Sequence, residues 1–160
     1  WWGYTALMWA AHEGHDDCVQ LLINANAALD TQDNIIGRAS TALTWAAESG
    51  KTDCTRRLIE AKANLEIQGI FGHTAFLRAA ASGQSESAQM LLDARADMTV
   101  CYRHGVTPLM LATLTGSADV QRLLDGNADV NASDRFGETA LIWAARLGKA
   151  DSAQDRKSVA

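Results

Sequence analysis

Apolar and polar positions run along this chain in blocks that nearly repeat. In residues 74 to 106, Thr74 precedes Ala75, Phe76 and Leu77, then Ala79, Ala80 and Ala81, and Gly83 closes the stretch. Alanine favours helix and lets another helix approach closely. Thr74 is suited to cap the N-terminus, and a glycine after the last turn supplies a left-handed stop. The spacing predicts a second helix from about Ser85 to Ala94, with Ala88, Leu91 and Leu92 at helical intervals. Residues 97–106 then hold a turn at His104-Gly105 that leads into the next block. Blocks of this kind open at Thr5, Thr41, Thr74, Thr107 and Thr139, and Gly14, Gly50, Gly83, Gly116 and Gly148 each close the first helix. A period of about 33 residues describes stacked units that lean on their neighbours, so function is expected on a surface rather than in a catalytic centre.

Helix, turn, helix and projecting β-turn: the unit resembles the ankyrin repeat. That family opens its repeat with Thr-Pro-Leu-His-x-Ala-Ala. Here stand Thr5-Ala6-Leu7-Met8-Trp9-Ala10-Ala11, Thr41-Ala42-Leu43-Thr44-Trp45-Ala46-Ala47 and Thr107-Pro108-Leu109-Met110-Leu111-Ala112. The paired leucines of the family match Leu22-Ile23, Leu58-Ile59, Leu91-Leu92 and Leu123-Leu124, and its Gly-Ala-Asp-Val-Asn tract is similar to Asn127-Ala128-Asp129-Val130-Asn131. The resemblance covers about residues 3 to 153. It implies one all-α ankyrin-repeat solenoid over residues 1–160, with projecting β-hairpin loops. The repeats fall at about 3–36, 37–71, 72–104, 105–136 and an incomplete 137–160.

The departures from the pattern carry expectations of their own. The motif histidine is replaced by Met8, Thr44, Leu77, Met110 and Ile142. The first junction, Asp33 to Thr41, is three residues longer than Asp134 to Thr139, which implies an enlarged hairpin around Ile35-Ile36-Gly37. The fourth repeat lacks a residue between Gly116 and Leu123, so its second helix is expected to start late or be distorted. In the last repeat Arg156-Lys157 stand where paired leucines would fall; the run Asp151 to Ser158 is expected to form a short, poorly ordered polar helix after a turn at Gly148.

The resemblance implies recognition of a partner protein through the hairpin tips and the groove face of the first helices. The residue before each tip glycine is Trp2, Ile36, Phe71, His104 or Phe136, and one place earlier stand Trp1, Ile35, Ile70, Arg103 and Arg135. Four of these five tips carry a large apolar residue where water is expected. Contiguous exposed apolar patches mark interfaces, and Trp and Arg are common hot-spot residues. With Tyr4, these residues are the expected partner contacts; the competing reading is that adjacent tips pack on one another. A second series, Trp9, Trp45 and Trp143 with Arg78 in register, either lines the groove or fills space between first helices, with edges left open to a partner. Leu114 and Leu147, just before the turn between helices, are further groove candidates.

Composition narrows the function more by exclusion. A formal charge of −5 argues against a non-specific nucleic-acid binder, which needs a basic face. No apolar run approaches the roughly 20 residues of a membrane span. Cys18 and Cys54 occupy matching positions and read as small buried hydrophobes in a reducing intracellular compartment, the cytoplasm or an organelle. The group His12, His15, Asp16, Asp17 and Cys18 lacks a recurring ligand set, and no nucleophile–base motif or phosphate loop is present, so no metal, cofactor or enzymatic activity is expected. The function expected is therefore a non-catalytic protein-interaction module or scaffold. The alternative is a permanent peripheral subunit of a large multi-protein complex. The Trp-Ala-Ala and Asp-Cys wording resembles ankyrin repeats of unicellular algae, which brings organellar and photosynthetic membrane complexes into that alternative.

Overall fold

A computed structural model describes residues 3–35, 38–115 and 119–155, the side chains of residues 119, 147 and 149–155 excepted. Its helices pair in sequence: α1 (Ala6–Glu13) with α2 (Asp16–Asn24), α3 (Ala42–Glu48) with α4 (Thr52–Glu60), α5 (Ala75–Ala81) with α6 (Ser85–Asp93), and α7 (Pro108–Thr115) with α8 (Asp119–Asp125). A last helix, α9 (Ala140–Asp155), stands after them. First helices stack in one row, α1 on α3, α3 on α5, α5 on α7 and α7 on α9, while α2, α4, α6 and α8 form the row behind. The result is the expected all-α solenoid.

Thr5, Thr41, Thr74 and Thr107 start their helices in one way, each side-chain oxygen accepting the backbone N–H three residues on at 3.2 to 3.3 Å. This satisfies one of the N–H groups that a helix start leaves without a partner. In two repeats a residue that replaces the motif histidine reaches back to the cap: the Thr5 and Thr107 N–H groups each donate to a methionine sulfur, Met8 and Met110, at 3.4 Å. Between the rows lies one continuous core. Leu7, Leu43, Phe76 and Leu109 fill it from the first helices and Val19, Leu58, Leu91 and Leu123 from the second. Ala11, Ala46, Ala47, Ala79, Ala80 and Ala112 are fully buried and let the first helices approach one another. Gly14 closes α1 in the left-handed conformation at φ +86°, as its position predicts.

Between the helix pairs the chain projects four short hairpins. Their closing bonds run from Asp33 N to Ser40 O, Gly69 N to His73 O, Tyr102 N to Val106 O and Asp134 N to Glu138 O, at 2.8 to 3.0 Å. The first is the enlarged one, although Ile36 and Gly37 at its centre lie outside the described residues. The expected late or distorted start of the fourth second-row helix falls at residues 116–118, which lie outside the described residues.

Two expectations are corrected. α9 runs unbroken through Gly148 for sixteen residues, so the last repeat is one long helix rather than helix, turn and cap. The chain beyond Gly148 offers Ala150, Ala153 and Gln154, which favour helix, and no leucine pair to fold back against α9. Residues 156–160 lie outside the described set. Cys18 is exposed while Cys54 is buried. The two thiols hold matching positions, but Cys18 lies on the outer side of the first helix pair, against which no described unit packs. Burial raises the pKa of the Cys54 thiol.

Because Gly148 sits inside α9 and a Cβ there would meet nothing within 4 Å, Gly148→Ala is expected to raise stability by about 0.5–1 kcal/mol. A loss of stability in chemical denaturation would restore the turn.

Candidate partner-binding surface

The inner wall of the stack is built around Trp45. Its ring is 8% exposed, and its indole N–H donates to the Asp33 carboxylate at 2.9 Å. Tyr4 and His12 of the first repeat meet the ring edge-on at 5.3 and 5.0 Å, and the Arg38 guanidinium lies 4.1 Å above it. Of the two readings for Trp45, groove contact and filler between first helices, the structure takes the filler: the first repeat covers one side and the hairpin the other. Burial first, then the Asp33 charge, pushes the Tyr4 hydroxyl pKa up to about 12.

From Arg38 a polar chain crosses to the third repeat. Arg38 pairs with Glu48, whose other oxygen lies 3.4 Å from Arg78; Arg78 Nη2 lies 3.3 Å from His73 Nε2. Since Arg78 can only donate, Nε2 of His73 is the acceptor and the ring proton sits on Nδ1, which is buried without a partner. His73 is 1% exposed and fills the hairpin base where Gly69 replaces the Asp33 and Asp134 of other repeats. A Cβ at Gly69 would come within 2.3 Å of the imidazole. Arg78 is thus held by internal partners, at the floor of the groove rather than offered to a ligand.

The outer tips differ. Ile70 is 60% exposed and Phe136 71%, with Phe71 beside them at 37%. Arg103 projects from the next hairpin over the Phe71 ring at 4.9 Å, and Arg135 lies at the same distance over Phe136. His104, at φ +66° in the turn Arg103–Gly105, accepts from Arg135 Nη1 through Nδ1 at 3.0 Å, while its carbonyl accepts the Arg135 N–H at 2.7 Å. Farther along the row the Ile70 N–H donates to the Arg38 carbonyl at 3.0 Å. Neighbouring hairpins are therefore laced together, yet their aromatic faces stay partly open. Of the expected tip contacts, Ile70, Phe71, Arg103, His104, Arg135 and Phe136 come together in one row.

The rest divide. Ile35 and Tyr4 are half-buried and pack on the core, so neither is a free tip contact. Trp1, Trp2 and Ile36 lie outside the described residues, as does the side chain of Leu147. Trp143 is half-buried against the core and Leu114 is exposed. Trp9, at the position matching Trp45, is 57% exposed and borders an open apolar hollow of about 610 Å³ with Leu21, Leu22 and Cys18. Sequence reasoning missed Leu21 and the Arg38–Glu48–His73 chain. Gly69, standing where Asp33 and Asp134 stand in two other repeats, is a sequence signal of a substitution nearby. Among the described residues no cluster of His, Cys, Asp and Glu could hold a metal, and no helix is long and apolar enough to cross a membrane.

The family model for ankyrin repeats, in three copies, matches residues 7–102 and again 79–154. No curated protein matches the chain.

Burial, reinforced by the charges of Arg78 and Arg38, pushes the His73 pKa from 6.5 down to about 4. Between these values the unfolded chain binds a proton that the folded chain refuses, so stability rises with pH across that window. The contribution is fully present above about pH 6.5 and lost as the pH falls toward 4. The urea midpoint is expected to drop over that range, and His73→Asn to flatten this part of the profile. Equal slopes in both proteins would remove His73 as the cause.

Proposed function

The chain belongs to the ankyrin-repeat family, whose members are generally protein–protein interaction modules; on that premise we propose that it is a non-catalytic docking module whose partner protein seats on the row of hairpin tips. The observation that carries this reading is the exposure of Ile70, Phe71 and Phe136, with Arg103 over the Phe71 ring and Arg135 over the Phe136 ring. Burying such a side chain is worth roughly 1.5–3 kcal/mol, a gain the free protein forgoes at each of them. Aromatic and arginine side chains are also the groups that carry most binding energy at interfaces.

Docking is rigid. Each described hairpin is closed by its own backbone bond, the first is tied to the second and the third to the fourth, and the first is rooted on Trp45 through Asp33. Little ordering is left to oppose binding, and preorganisation of this kind favours affinity. Leu114, exposed just before the turn between helices, is a secondary contact in this reading.

A second reading, permanent residence in a larger assembly, rests on the same tips, where Ile70, Phe71 and Phe136 are exposed apolar residues. Obligate interfaces are more hydrophobic than transient ones. Extraction of the native protein under gentle conditions separates the two: the module runs near its own mass once its partner dissociates, the subunit in a salt-stable particle.

Replacing Phe71 and Phe136 together by Ser is expected to leave helicity unchanged and to weaken partner capture by more than about tenfold. A substitution on the second row, Glu60→Gln, serves as the control. Capture undiminished in the double variant, or loss of helicity in it, would remove the tips as the docking surface.

A further inference from the structure

The tip row carries a charge opposite to that of the chain as a whole. The protein has a formal charge of −5; its second row and the loops behind it carry both signs, with Asp17, Glu60, Glu86, Asp93 and Asp97 set among Arg56, Arg57, Lys62 and Arg95, and Asp53 paired with Arg56. The described hairpins hold three carboxylates, and each is engaged. Asp33 is buried and takes the Trp45 indole N–H; Asp134 is buried and accepts from the Phe136 and Glu138 N–H groups; Glu138 pairs with Arg146. Arg103 and Arg135 have no carboxylate partner among the described residues. Their neighbours are the rings of Phe71, Tyr102 and Phe136 and the His104 imidazole.

Resting on the tip-docking reading, we propose that the partner segment seated on Phe71, Arg103, Arg135 and Phe136 is acidic, with apolar side chains set between its carboxylates. An arginine over an aromatic face leaves edge N–H donors free, and that edge matches a carboxylate in two parallel bonds. A neutral or basic segment covering the same patch would strip water from two guanidinium groups without replacing it, a penalty that selects against it. The same segment's apolar side chains cover the open faces of Phe71, Phe136 and Ile70. A nucleic acid fits less well: two arginines neutralise few phosphates, and the rest of this acidic chain repels the strand.

The test is a titration of the full chain with fluorescent peptides, one alternating Glu and Leu, one alternating Lys and Leu, and a single-stranded RNA oligomer alongside. The Glu–Leu peptide is expected to bind alone, to weaken as salt is raised, and to lose about tenfold in affinity when Arg103→Gln and Arg135→Gln are combined. Circular dichroism of each variant shows that the stack is intact. No binding, equal binding of both peptides, or tighter binding of the RNA would overturn the proposal. If Phe71→Ser with Phe136→Ser weakens capture of the native partner while the arginine pair leaves it unchanged, the tips still dock a protein and only the acidic character fails. If neither pair matters to that capture, the docking reading fails with it.

Discussion

No helix pair in this chain buries its own apolar face; each must lean on the next. That dependence is concentrated at the inner wall, where Trp45 is enclosed between Tyr4 and His12 of one repeat and Arg38 of its own hairpin. The same residue type at the same position, Trp9, stays open where no described unit covers it. Stacking, and not the character of the side chain, decides which tryptophan becomes core. A repeat array behaves in this way because its stability is a sum of units and their interfaces.

The wall also explains how a stack of short helices can hold an exposed tip row in place. Asp33 ties the hairpin base to the Trp45 indole, and Arg38 joins that hairpin to Glu48 and, through it, to Arg78 and His73 of the next repeat. Buried polar groups are costly unless satisfied; here each side chain has a partner, while Arg38 Nε, Arg78 Nε and His73 Nδ1 are left without one. The polar chain therefore sets the register between repeats, and the tips inherit that register. His73 is the weak link, neutral by enforcement and with Nδ1 unpartnered.

The repeated Thr caps, the alanine-rich first helices and the leucine pairs made the fold legible, since each is a local signal with a local cause. The tip row was legible in part: Ile70, Phe71 and Phe136 stand out because large apolar residues occupy turn positions. What a single position cannot reveal is which neighbour covers it. Ile35 and Ile70 hold matching tip positions, yet Ile35 packs on the core while Ile70 stays exposed. Cys18 and Cys54 differ for the same reason. Lys62 and Arg95 adopt left-handed backbone at φ +67°, a position where glycine would be unstrained, and nothing in their side chains announces it.

The central claim is that the partner covers the tips and not the second row. Hydrogen exchange of the chain, free and in its native complex, addresses it directly. The account predicts new protection confined to residues 69–72, 102–106 and 134–137, with α2, α4 and α6 unchanged. Protection of those second-row helices with the tips exchanging as in the free protein would contradict it.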